Sequence, residues 1–302
     1  MRKSNSINPM KKIYPLLVCM ILITSGVSLK AQHLYGVSQN SVSQFHQFST
    51  LYNPAMAGVK EPFIASGLYR NMRIQGSPFT GLVNIDGASE SAKSGFGFTG
   101  YFMDPDGHEG SGTIAAKGRY AKHFSLGRDN VFSVGADLGV LSQQQSAFGG
   151  VETSTVPTLG VGAAFKSHEF TAGISVQNIN DPELTEISGD TRVNRMITAN
   201  LGYKFEFDDY FALQPNALYI QGENFSEINV NGLVFIGENL YVGSGYRNVS
   251  FSGAGSINFV TITGGVYYND LQFGYAYDHP MGQMTGATFG IHEIVFSFLI
   301  RD

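Results

Sequence analysis

Tryptophan is absent from this chain, and cysteine occurs once, at position 19 of 302. A single cysteine excludes an internal disulfide. Because Cys19 lies in an apolar N-terminal stretch, the rest of the chain has no thiol for catalysis or metal binding. Charge is scarce as well. Asp, Glu, Lys and Arg make up 14% of the residues, against about 25% in soluble domains. The formal net charge of −5 offers no basic surface to nucleic acid. Long apolar runs are missing too: after residue 30 no stretch approaches the roughly 18 residues that a spanning helix needs. So little charge points to a membrane. A membrane protein without spanning helices must close its backbone hydrogen bonds in a barrel, because lipid offers no partner for free N–H and C=O groups. A secreted β-sandwich shares part of this composition.

The N-terminus has the layout of an export signal. Lys11 and Lys12 precede an apolar stretch from Ile13 to Val27, and Ala31 supplies a small residue just before Gln32. Leu29 is a poor companion to Ala31 at a cleavage site, and Met10 is an alternative start. Lipidation at Cys19 is disfavoured because Val18 before it is not small. The expected organisation is a signal peptide over 1–31, an N-terminal periplasmic or lumenal segment over 32–61, and an outer-membrane barrel over 62–302.

Period-two alternation dominates the remainder. Phe132, Val134, Ala136, Leu138 and Val140 alternate with Ser133, Gly135, Asp137 and Gly139. Phe170, Ala172, Ile174 and Val176 alternate with Thr171, Gly173, Ser175 and Gln177. Ile197, Ala199, Leu201, Tyr203 and Phe205 alternate with Thr198, Asn200, Gly202 and Lys204. The polar face is made of glycine and small polar residues, not the lysines and glutamates that coat a solvated sheet. It fits the inner wall of a lumen, with the apolar face toward lipid. The pattern predicts an all-β fold: a transmembrane antiparallel β-barrel of about 14 strands, preceded by a short non-barrel segment. Tight turns are expected at Gly127–Asp129, Ser167-His168, Asp208-Asp209, Gly237-Glu238 and Asn269-Asp270, and long loops at 104–111, 142–155, 179–194 and 279–285. Short turns face the periplasm in such barrels and long loops face outside.

Three patterns suggest chemistry. Gly95 to Gly100 matches the dinucleotide pattern G-x-G-x-x-G, but that mechanism needs a helix to follow, and here the match lies inside an alternating strand. Asp104, Asp106 and Glu109 beside Gly107 offer oxygen ligands in one loop without the full calcium-binding spacing, so a solvated loop is the simpler reading. His292 and Glu293 look like an acid–base pair, yet neighbours on a strand point to opposite faces. The seven histidines are scattered. No catalytic constellation, cofactor or metal site is expected.

Ser43-Gln44-Phe45-His46-Gln47-Phe48, followed by Tyr52-Asn53-Pro54-Ala55-Met56-Ala57-Gly58, resembles the N-terminal signature of the PorP/SprF family of the Bacteroidetes type IX secretion system. Tyr275-Ala276-Tyr277-Asp278 and Gly290-Ile291-His292-Glu293-Ile294 resemble that family's closing pattern, with Ile291 where serine is usual. The resemblance implies a non-enzymatic outer-membrane component that assists export or cell-surface attachment of a large secreted protein, such as a gliding adhesin. Its implied partners are secretion machinery components, a secreted surface protein with a sorting domain, and outer-membrane lipid. The residues singled out as a partner-binding or structural motif are Asn53, Pro54, Ala55, Gly58, His292 and Glu293. Pro54 biases Asn53 away from helix, and Gly58 is free to take positive φ. The alternative function is a transport channel for a hydrophobic or small solute.

Overall fold

The computed structural model describes residues 41–59, 63–72, 79–89, 91–104, 112–127, 129–147, 150–184, 191–253, 255–282 and 290–300. The expected signal peptide and the acidic loop through Asp106 and Glu109 lie outside them. A short helix α1 (Ser49–Tyr52) and a 3-10 turn (Pro54–Met56) come first. The strands are β1 (Phe63–Met72), β2 (Phe79–Ala88), β3 (Ser94–Asp104), β4 (Gly112–Ser125), β5 (Val131–Ala147), β6 (Gly150–Lys166) and β7 (Phe170–Gln177). A small hairpin of β8 (Glu183–Leu184) and β9 (Thr191–Arg192) follows. Then come β10 (Met196–Tyr203), β11 (Phe205–Glu206), β12 (Phe211–Gln221), β13 (Phe225–Ile236), β14 (Leu240–Phe251), β15 (Gly255–Tyr268), β16 (Leu271–Met281) and β17 (Ile291–Leu299).

Each long strand pairs with its sequence neighbours, and β1 also pairs with β17. β10 and β11 act as one strand interrupted at Lys204, both bonded to β12. The result is a closed barrel of 14 antiparallel strands. Closure removes the free edges that an open sheet would leave in lipid.

Alternation sorts the side chains. On β5, Val134 and Leu138 are exposed on the outer face, whereas Ser133 and Asp137 are buried inside. The outer surface is an apolar band of Phe, Tyr, Leu, Ile and Val. The ionisable side chains Arg70, Asp86, Arg119, Asp137, Glu227, Arg247, Asp278 and Glu293 are buried on the lumenal side. At the rim, Phe205 is outward and exposed, and the Lys204 ammonium lies 6.0 Å from the ring of Phe235, a residue on the inner side of β13.

One expected loop is corrected. The stretch 142–155 is paired: β5 and β6 remain in register from Val131↔Lys166 to Ala147↔Gly150. Here Ser142-Gln143-Gln144-Gln145 and Thr153-Ser154-Thr155 carry polar residues on both faces. The alternation that marks a membrane strand therefore stops while backbone pairing continues.

Candidate functional site in the barrel lumen

Residues 42–59 cross the lumen, and the wall binds them mainly by their backbone. At one end, both oxygens of Glu293 accept amide hydrogen bonds, from Ser43 at 2.8 Å and from Gln44 at 2.9 Å. In the middle, the Tyr52 carbonyl accepts from Ser175 Oγ (2.6 Å), Thr198 Oγ1 (2.9 Å) and Gln177 Nε2 (2.9 Å). At the other end, Ser133 Oγ donates to the Ala55 carbonyl (2.7 Å), Gly58 N–H donates to Asp86 Oδ1 (2.7 Å), and Lys166 Nζ donates to the Val59 carbonyl (2.9 Å). His123 bridges the carbonyls of Ala57 and Ala92 with its two ring nitrogens. Buried backbone groups must find partners, and here side chains of the wall supply them.

Asn53 organises the turn. Its Oδ1 accepts from Ala55 N–H at 2.9 Å, capping the 3-10 turn that Pro54 opens. Its Nδ2 donates to the carbonyls of Ala163 (3.0 Å) and Ile174 (3.3 Å), on β6 and β7. The wall is built of glycine where this turn lies against it. A Cβ on Gly162 would stand 2.1 Å from Asn53 Oδ1, one on Gly173 2.5 Å from Asn53 Nδ2, and one on Gly135 2.6 Å from Ala55 N. A Cβ on Gly95 would stand 1.8 Å from the Ala57 carbonyl oxygen. Gly58 takes φ +66° against the backbone of Gly87 and Gly95, a conformation that side chains rarely tolerate. Gly95, read in the sequence as part of G-x-G-x-x-G, thus serves as a contact surface on a strand.

Apolar packing and charge complete the dock. Val42, Phe45, Phe48 and Tyr52 pack with the inward residues Leu68, Leu82, Met196, Leu218, Ile220 and Val295. Beside them lies an ionic cluster. Asp278 accepts from Ser43 Oγ (2.7 Å), Thr261 Oγ1 (2.7 Å) and Arg247 Nη2 (2.5 Å). Arg70 lies 3.7 Å from Asp278 and 3.5 Å from Glu293, and the Arg247 guanidinium stacks 4.7 Å from the centre of the Phe259 ring. Both carboxylates are fully buried. Removing one member of such a pair strands the other, at a cost of about 3–5 kcal/mol. Away from the wall strands, burial pushes the Tyr52 phenol up, well beyond the ordinary range.

The family profile described as type IX secretion system membrane protein PorP/SprF matches residues 36–298. The chain belongs to the PorP/SprF family. No match is found among curated proteins. Among solved structures, the TodX monoaromatic hydrocarbon channel, a ΔS2S3 mutant, is similar at a TM-score of 0.51 and 9% identity, over 82% of this chain and 92% of that one. Omp33 of Acinetobacter baumannii is similar at 0.49 and 12% identity, over 80% of this chain and all of that one. A Pseudomonas aeruginosa FadL homologue is similar at 0.48 and 11% identity, over 81% and 91%. At 9% identity the likeness to TodX is one of fold alone. This PorP/SprF protein is an outer-membrane β-barrel.

The PorP/SprF barrel brings most of the singled-out residues onto one structure. Asn53, Pro54, Ala55 and Gly58 belong to the buried turn, and Glu293 holds the far end of the same segment. Asn53 and Ala55 are fully buried, so a partner could not touch them while the segment is docked. His292 is apart: it lies on the outer face, bonded to Tyr275 OH at 2.7 Å and packed against Tyr277. Sequence reasoning missed Arg70, Arg247 and Asp278 as a group, and the inward Leu68, Leu82, Leu218 and Ile220. The signal for the first was present, because a charge at an inward position of an alternating strand has to meet a counter-charge. Among the described residues, no group of three His, Cys, Asp or Glu is placed to hold a metal.

Proposed function

We propose that this barrel is a non-enzymatic component of the type IX secretion system that assists export or cell-surface attachment of a large secreted protein, working with the secretion machinery in outer-membrane lipid. Family membership supports the reading. The structural observation that favours it over a solute channel is the lumen itself. An 18-residue stretch, 42–59, is bonded to walls as far apart as β17 and β7, on opposite sides of the barrel, so the barrel interior is used to hold polypeptide. The export signal over 1–31 is part of the same proposal.

The test is removal of the gene, followed by quantification of large proteins on the cell surface and in the medium. Loss of one or a few secreted proteins from the surface, and their copurification with the barrel in mild detergent, is the expected result. An unchanged surface proteome, together with solute-selective conductance of the purified barrel in planar bilayers, would replace this reading with the channel.

A further inference from the structure

The hairpin of β5 and β6 carries an open strand edge. β6 begins at Gly150, but β7 pairs with it only from Gly160↔Gln177 onward. Between 150 and 159, β6 pairs with β5 on one side alone among the described residues. On the other flank the β4 pairing runs to Gly112↔Gln144, so among the described residues the hairpin tip is paired to neither neighbouring strand. It lies at the barrel end opposite the short turns 167–169 and 237–239, which is the outer side in this class of barrel.

The direction of the free hydrogen-bonding groups follows from its base. Ile179 N–H donates to the Leu159 carbonyl at 3.0 Å. Asn180 accepts from Leu159 N–H at 3.0 Å and donates to the Pro157 carbonyl at 2.8 Å. The backbone groups of 157 and 159 therefore point away from β5. In an antiparallel ladder this direction repeats every second residue, so Val151, Thr153 and Thr155 also turn their N–H and C=O groups away from β5. All three residues are exposed. Asn180 satisfies the edge only as far as Pro157, whose nitrogen has no hydrogen to offer.

Proteins usually guard such edges with lysine, proline, a bulge or an inward charge. Between 150 and 156 the sequence is Gly-Val-Glu-Thr-Ser-Thr-Val, with one charge, no proline and β-branched residues that favour extended backbone. Three donor–acceptor pairs at alternate residues, about 7 Å apart, match another extended chain and little else. A second copy in the same membrane would present its own β6 running in the same direction, which rules out antiparallel pairing with it.

We propose that the outer edge of β6, through Val151, Thr153 and Thr155, docks an extended strand of a secreted protein by adding it to the sheet. The inference rests on the proposed function for the partner being a secreted protein, and adds where and how it binds.

The test uses cells carrying the full-length chain, with the surface proteins lost on gene removal as the readout. Val151→Pro/Thr153→Pro deletes two outward N–H donors and leaves the bonds to β5, as proline on an edge strand permits. Val151→Ile/Thr153→Val keeps both donors. Folding of each is checked by heat-modifiable migration in gels. The proline pair is expected to fold and to retain roughly thirty-fold less partner, for two hydrogen bonds lost. The β-branched pair is expected to behave as wild type. Full retention by the folded proline pair, or equal loss in both variants, overturns the proposal. Should the proline pair not fold, a photo-crosslinking residue in place of Thr153 decides. A crosslink to the same surface protein supports the edge, and a crosslink to a second copy, or none, overturns it. If gene removal changes no surface protein, the functional reading itself fails, an outcome distinct from failure of the edge alone.

Discussion

Gly95→Ala should release the Ala57–Gly58 end of the lumenal segment while leaving the wall intact. The added Cβ would stand 1.8 Å from the Ala57 oxygen and 2.3 Å from its carbon. Both are backbone atoms, so no rotamer change relieves the clash. Undocking forfeits the His123–Ala57 and Gly58–Asp86 hydrogen bonds, each about 1–3 kcal/mol. It also exposes Met56, which is fully buried, at about 1.5–3 kcal/mol. Partial yielding of the segment lowers the total, leaving a destabilisation on the order of 4 kcal/mol, or about a thousandfold in the opening equilibrium. Met56→Cys supplies the reporter, since the one natural cysteine lies at position 19, in the expected signal peptide. In purified barrel, maleimide should label this thiol slowly, and about a thousandfold faster when Gly95→Ala is added. Gly81→Ala is the control, because nothing lies within 4 Å of its added Cβ. Continued protection of the thiol in Gly95→Ala, or equal exposure in the control, would refute the proposed contact.

Leu138→Arg puts a charge on the lipid face, where Leu138 is 63% exposed, and should cost roughly 2–4 kcal/mol near the membrane midplane; urea unfolding in lipid measures it, and an unchanged midpoint would contradict the assigned face. Glu293→Gln leaves Arg70 facing a neutral amide and should cost about 3 kcal/mol, read as a lower temperature for the gel-mobility transition. His292→Gln, on the outer face, should change that temperature little. Docking of the segment should also weaken in alkali. The buried Tyr52 phenol holds its proton above the ordinary value of 10.0, so docking is full below pH 10 and is lost progressively above it. Tyr52→Phe should flatten this limb in the Met56→Cys labelling assay, and an unaltered limb would assign it to another group.

The barrel was legible because lipid and lumen impose opposite chemistry on alternate residues, as Leu138 and Ser133 show. Legibility failed where that contrast lapses. On β12, inward Leu218 and Ile220 are as apolar as outward Leu213 and Tyr219, because the lumenal segment presents Phe and Tyr side chains to them. Toward the tip of β5, Gln143 and Gln144 put polar side chains on both faces, so a paired strand reads as a loop. Within the motif, Pro54 and Gly58 announced a turn. That Asn53 would reach two wall carbonyls past Gly162 and Gly173 depends on strands more than 100 residues away, which no local pattern encodes.

Ser43 and Glu293 are separated by 250 positions and meet in one hydrogen bond. Asp278 grips the same serine through its hydroxyl. The two stretches by which the sequence resembles its family, one near each end, are therefore the two halves of a single clasp. A change in either half is a change in both, and a search that weighs them jointly should pick out relatives that neither half would find alone.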